Sequence, residues 1–382
     1  MTGPPATPSS PRLVSVDVFR GVTMAAMVIV NTPGDWSAVF SPLLHADWHG
    51  WTPTDLIFPF FVFIVGVSIV LSARSAGSML VILRRAAILY ALGLLLALYP
   101  RFEFTTVRIV GVLPRLALCY LAAALIFRSS TPGGRVFRPG IPASGVISVA
   151  VLGLLLGYWA LMAWVPAPGG LAGDLTPSGN VGAWIDRTVL GEAHLWRQSR
   201  TWDPEGLLST LPAIATALTG LLAGIVLTSG REAAQKVRWL LTAGLVATAI
   251  GLVWDRWFPI NKNLWTSSYV MFTSGLASVA LGATYWWYDV KRRRLLAKPF
   301  VVMGTNALAL FVVSGFLVKT LILLKVTGSA GEPVTLYRAI FEHVFAPFAS
   351  PKVASLLFAS AALVLLYGLL ELMYRRRMFL RA

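Results

Sequence analysis

Ten runs of apolar residues recur along the chain, near 13–33, 54–73, 80–99, 108–127, 143–165, 206–228, 237–255, 265–288, 299–322 and 352–374. Each is about 20 residues long, the length of helix that crosses roughly 30 Å of hydrocarbon. Inside a bilayer the backbone must satisfy its own hydrogen bonds, which leaves helices for segments of this kind. The fold class is therefore read as all-α, a polytopic integral membrane protein with about ten transmembrane helices. With 57% hydrophobic and 13% charged residues over 382 positions, and a mean hydropathy of +0.73, the polar surface is too small to cover a soluble globule.

The net charge of +16 would point to nucleic acid in a soluble chain. Here the cations fall in alternate loops instead, as expected where Lys and Arg mark the cytoplasmic side. One set of loops holds Arg74, Arg84 and Arg85, then Arg128, Arg135 and Arg138, then Arg231, Lys236 and Arg238, then Lys291 to Arg294 with Lys298; Arg375, Arg376, Arg377 and Arg381 close the chain. The opposite loops carry most of the acids. This pattern predicts both termini in the cytoplasm, and no stretch is long enough for a basic nucleic-acid module. Cys119 is the single cysteine, which excludes internal disulfides and thiolate metal cages and reads as a packing residue.

Residues 1–12 are rich in Pro and Ser and read as a disordered cytoplasmic tail; 13–374 form the membrane domain, and 375–382 a basic cytoplasmic tail. A long outer loop at 166–205 separates five predicted helices from five. It starts Gly/Pro-rich, and GAWIDRTVLGEAHLW then has the spacing of a short amphipathic helix, either a lid or a plain interfacial helix.

The densest polar chemistry lies in the loop between the first two runs. It carries Asp35, His45, Asp47 and His49 among Trp36, Trp48 and Trp51, and Asp55 opens the next helix. His45 can serve as general base or nucleophile, with Asp47 or Asp55 to orient it. Metal binding by His45 and His49 is disfavoured, since Gly50 and Pro53 oppose the helix that their spacing would need; no metal is expected. Charges inside spans are costly and so mark function. Asp17 and Arg20, three apart, neutralise each other or serve a ligand. Arg115 follows Pro114 and has no partner in its own helix, which suits a phosphate or carboxylate.

Several motifs stand in order: RLVSVDVFRG, VNTPG, HADWHGWTPTDLIFPFFVFIVGVS, GVLPRLALCY, WIDRTVLGEAHLW, WDPEGLLSTLPAI and INKNLWTSSYV. Together they resemble the heparan-α-glucosaminide N-acetyltransferase family of transmembrane acyltransferases, from about Arg12 to Phe316. The resemblance implies transfer of acetyl from cytoplasmic acetyl-CoA, as donor substrate, to the amine of glucosamine or a glucosamine-ended saccharide at the far face. The family's active-site histidine falls on His45, its asparagine on Asn31 and its aspartate on Asp55. On this resemblance no counterpart of the lysosomal enzyme's N-terminal luminal domain is expected, and His49 stands where that enzyme has an amide. Bacterial members are the nearer comparison, which implies a bacterial inner membrane and a small amino sugar.

On this reading Asn31 meets a developing oxyanion, Asp55 holds the imidazole, and His45 is base or acyl carrier. Arg115 and Arg20 are expected at the CoA phosphates, with Asn306 as a further cofactor contact. Asp203 and Glu205 are expected to hold the acceptor ammonium, unless they only favour a helix N-terminus. Trp48, Asn261 and Asn263 complete the expected substrate contacts, and Lys262 is a polar group at the same helix mouth. A sugar permease and an O-acyltransferase acting on a surface glycan remain alternatives. Partners reduce to acetyl-CoA, an amino sugar and the lipid bilayer, with a homo-oligomer left open.

Overall fold

The computed structural model describes residues 12–72, 78–131, 142–328 and 332–380. The expected tail before Arg12 lies outside these, as do Arg74, Arg135, Arg138 and Arg381. The helices are α1 (Val14–Asn31), α2 (Ile57–Leu71), α3 (Met79–Leu98), α4 (Val112–Ser130), α5 (Ala143–Trp164), α6 (Val181–Leu190) and α7 (Thr210–Thr228). They continue with α8 (Ala233–Trp254), α9 (Ser267–Tyr285), α10 (Ala297–Thr305), α11 (Ala307–Leu323), α12 (Leu336–Ile340) and α13 (Pro351–Arg375). One element departs from the all-α expectation: Lys325–Thr327 pairs antiparallel with Pro333–Thr335 as a short hairpin.

Among the described residues, eight helices are long and apolar enough to cross a membrane, and nine if α10 and α11 form one span bent by 78°. The chain is a multi-pass membrane protein. The remaining expected span, 265–288, forms α9 but falls short in apolarity. Its Ser267, Ser268, Thr273, Ser274 and Gly275 are buried against neighbouring helices, and a helix shielded from lipid needs no apolar coat. α9 nevertheless joins the same two faces as α1. Just beyond its C-terminal end, Asp289 accepts the backbone N–H groups of Val14 and Ser15 at 3.0 and 2.9 Å, while the loop that feeds its start lies against His45.

Small residues set the tightest helix contacts. α2 packs on α7, where a Cβ at Gly66 would stand 1.9 Å from the Ala217 carbonyl oxygen, and one at Gly220 would stand 2.0 Å from that of Phe63. Only glycine admits this approach, which presses the helix carrying Asp55 against the one that follows the WDPEG motif. The break between α10 and α11 falls on buried Asn306, whose amide donates to the Met378 carbonyl and accepts from the Leu380 N–H, each at 3.3 Å.

Candidate active site

The segment TPTD explains how Asp55 comes to face His45. Thr52 caps the turn that starts at Pro53, and the third residue of that turn, Asp55, reaches back to the Thr52 N–H at 3.0 Å, a capping box. The same Oδ2 accepts from Ala46 N–H at 3.0 Å, which folds the preceding loop over the helix start. Oδ1 is left for His45, whose Nδ1 lies 2.6 Å away. A carboxylate can only accept here, so Nδ1 carries the proton and the Nε2 lone pair is unspent. The Asp55 side chain is sealed, whereas half of the His45 side chain is exposed.

A second loop, 256–266, closes on the first. Gly50 N–H donates to the Ile260 carbonyl at 2.7 Å, and Asn261 Nδ2 meets His49 Nδ1 at 3.3 Å. The Asn261 Oδ1 accepts from Leu264 N–H at 2.8 Å, so this residue shapes the loop instead of facing a substrate. Its product is the placement of Lys262, with Nζ 3.1 Å from both His45 ring nitrogens and 3.8 Å from Asp55 Oδ1. Burial pulls the Lys262 amine below its ordinary pKa; Asp55 and Glu205 oppose this and Arg115 adds to it. Burial likewise lowers His49, against Asp255. Asn263 is half-buried beside Lys262.

Asp203 and Glu205, expected at the acceptor, are instead committed to Arg108. Its Nε and Nη2 take both oxygens of Asp203 at 2.8 and 2.5 Å, and Nη2 also bonds Glu205. Burial alone would raise the Glu205 carboxyl, but Arg108, joined by Arg115 and Lys262, holds the group below its usual range. Asp186 on α6 accepts the Leu207 N–H at 2.8 Å, and burial pushes its carboxyl up to about 6. The amphipathic helix expected in this loop is therefore present as α6, capped by Asn180.

Arg115 is also placed differently from the expectation. It is 1% exposed, its Nη2 bonds the Gly206 carbonyl at 3.0 Å and the Ser209 hydroxyl, and its guanidinium lies 5.1 Å from the Trp265 ring centre. It lines neither the cavity that holds Arg20 nor the one beside Arg108. Arg20 does line one, a space of about 220 Å³ shared with Ser68, Tyr120, Thr305 and Leu380. Its Nη2 bonds Ser68 at 2.6 Å, and its Nη1 reaches the Gly304 carbonyl at 3.2 Å and Asp17 at 3.5 Å. Asn306 stands at this cavity's edge with its amide spent on the C-terminal backbone. A larger cavity of about 770 Å³, walled by Tyr99, Arg101, Arg108, Trp196 and Lys319, shares Leu113 and Phe311 with the first.

Asn31 ends α1 with its side chain exposed and shares no hydrogen bond with His45. Trp48 donates to the Leu175 carbonyl at 2.9 Å and packs edge-on against Trp202. No cluster of metal-ligating side chains occurs among the described residues. Two residues escaped sequence reasoning: Arg108 altogether, and Lys262 in its role. Both meet their partners across about 100 or 200 residues, a separation that spacing in one sequence does not encode.

Comparison with known proteins bears on what this arrangement is for. The family model for heparan-alpha-glucosaminide N-acetyltransferase, catalytic, matches residues 12–160, which include Arg20, Asn31, His45 and Asp55. The human heparan-alpha-glucosaminide N-acetyltransferase is 32% identical over 352 residues, covering 79% of this chain and 52% of the human protein. The mouse enzyme is 31% identical over 354 residues, covering 80% and 53%. The chain thus spans about half the length of the curated relatives it matches. By these matches the chain is homologous to the human and mouse heparan-alpha-glucosaminide N-acetyltransferases over about four-fifths of its length.

Proposed function

We propose that this chain is a membrane-embedded, acetyl-CoA-dependent N-acetyltransferase acting on the amine of glucosamine or a glucosamine-ended saccharide. The observation that carries the reading is the 2.6 Å contact between His45 Nδ1 and Asp55 Oδ1. It fixes the tautomer with a lone pair on Nε2, at a half-exposed position that a polar acceptor can reach. Nε2 then either takes the proton of the attacking amine or attacks the thioester and carries the acetyl group. In both routes Asp55 stabilises the imidazolium that forms, and the exposed amide of Asn31 is available to donate to the carbonyl oxygen as it gains charge.

The donor's phosphates need cationic partners, and Arg20 in the 220 Å³ cavity supplies one with its orientation fixed by Ser68 and Gly304. The same reading sets the His45 face outside a bacterial inner membrane and the Arg20 end at the cytoplasm, in keeping with the arginine-rich loops. The test is free thiol release and mass detection of N-acetylated sugar, by wild type and His45→Ala in detergent. Loss of about 10² to 10⁴ in rate is expected for the variant. Equal product from both would remove His45 from the mechanism. A wild type that consumes no acetyl-CoA with any amino sugar would favour transport.

A further inference from the structure

Lys262 brings a primary amine to the side chain proposed to handle acetyl. Its Nζ lies 3.1 Å from both His45 nitrogens. An atom so placed cannot lie in the imidazole plane without colliding with Cε1, so the amine stands over the face of the ring. This leaves the in-plane lone pair of Nε2 unblocked. An acetyl group on Nε2 would be coplanar with the ring, and its carbonyl carbon would be attacked from above or below that plane. Lys262 occupies one of those two sides, the orientation that makes a neighbouring group reactive. The side chain is 18% exposed and hemmed in by Asp55, and burial favours its neutral, nucleophilic form.

We propose that Lys262 is an acetyl acceptor in its own right, so that with donor present and no sugar in place the enzyme acetylates its own Lys262. The inference rests on the acetyl-transfer reading above. In the step, Nε2 of His45 first takes the acetyl group as the thioester C–S bond breaks and CoA leaves as thiolate; Nζ then attacks the acetyl carbon, the amide C–N bond forms and the Nε2–C bond breaks. The proton lost by the amine passes to the freed Nε2 and on to the thiolate, giving free CoA. The product carries a neutral amide beside His45, which removes the local cation and fills the space an acceptor amine would enter. Lys262 therefore acts as a brake that the sugar must outcompete.

The full chain in detergent is incubated with acetyl-CoA alone, and intact mass and peptide mapping follow. Acetyl on Lys262, with its loss in His45→Ala while exposed Lys325 and Lys352 keep the same chemical background, is the expected result. Lys262→Arg keeps the cation and removes the acceptor, so thiol release without sugar should fall to the background of His45→Ala. Equal Lys262 labelling in wild type and His45→Ala would mean non-enzymatic acetylation and overturn the proposal. A wild type that acetylates glucosamine but leaves Lys262 unmodified would overturn it while the acetyl-transfer reading stands. A wild type that neither releases thiol nor makes product would sink both.

Discussion

Asp55 divides its carboxylate between two tasks: Oδ1 accepts from His45 Nδ1 at 2.6 Å, while Oδ2 takes the N–H groups of Ala46 and Thr52 at 3.0 Å. The residue that caps the helix start therefore also sets the histidine tautomer. Asp55→Asn keeps the size but offers only one acceptor atom, so cap and imidazole compete for it. If the amide oxygen stays with the cap, its NH₂ faces Nδ1 and forces the opposite tautomer, with the lone pair turned inward. A fall in kcat of about 10² to 10⁴ is expected, with the affinity for acetyl-CoA little changed. Thiol release at saturating donor checks it, and an unchanged rate would remove Asp55 from the reaction.

Arg108 neutralises two carboxylates that are themselves almost wholly buried, Asp203 and Glu205. Arg108→Ala would strand both, and breaking a buried ion pair on one side costs about 3–5 kcal/mol. The variant should unfold at markedly lower temperature in detergent. Adding Asp203→Asn and Glu205→Gln removes the stranded charges and should recover much of the loss. An Arg108→Ala protein of wild-type stability but with a raised KM for the sugar would return the two acids to the role of amine ligands.

How far the sequence reached can be judged from these residues. The apolar runs disclosed the helices, and the loop around His45 stood out because histidine, acids and tryptophans crowd beside a span. Asp55 was legible as an acid that opens the next helix close to His45 in sequence, while its capping of Thr52 is seen only in the structure. Asp203 and Glu205 were legible as important, but their pairing with Arg108 was not, because that partner sits 95 and 97 residues away. The Gly206 and Ser209 contacts of Arg115 Nη2 were illegible for the same reason, while its Nε and Nη1 are buried without a hydrogen-bond partner among the described residues. The run at 265–288 was legible as a helix, but its polarity does not mark it as a span, because α9 buries its Ser and Thr residues against protein, where hydropathy loses its meaning.

Asp186 supplies a pH dependence of stability. Burial raises its carboxyl from the ordinary 3.8 to about 6. Between these values the folded state binds more protons than the unfolded chain, so its contribution is full below about pH 4 and is lost as pH rises through 6. Asp186→Asn cannot ionise and its Oδ1 can still accept the Leu207 N–H. Relative to wild type, the variant should gain stability as pH climbs from 4 to 7. The gain is on the order of 3 kcal/mol, at about 1.4 kcal/mol per tenfold change in proton affinity. Thermal unfolding across that range checks it, and parallel curves would contradict the shift.

The two described ends of the chain share one face. Asp289 caps α1 at Val14 and Ser15, Arg20 reaches Gly304, and the residue that follows Thr305, Asn306, holds Met378 and Leu380. At the other face Asp35 N–H meets Ser355 Oγ at 3.1 Å near the start of α13. The fold thus fixes which loops lie together, and the proposed orientation, drawn from the arginine bias, puts the shared-terminus face at the cytoplasm. In a Cys119→Ala background, single cysteines at Ser41, on the His45 face, and at Ser229, at the end of α7, should behave oppositely in intact cells. A membrane-impermeant thiol reagent should label Ser41→Cys and reach Ser229→Cys only after permeabilisation. Labelling of Ser229→Cys alone would invert the orientation and expose His45 to the cytoplasm. Labelling of both would break the alternation of helices between α1 and α7.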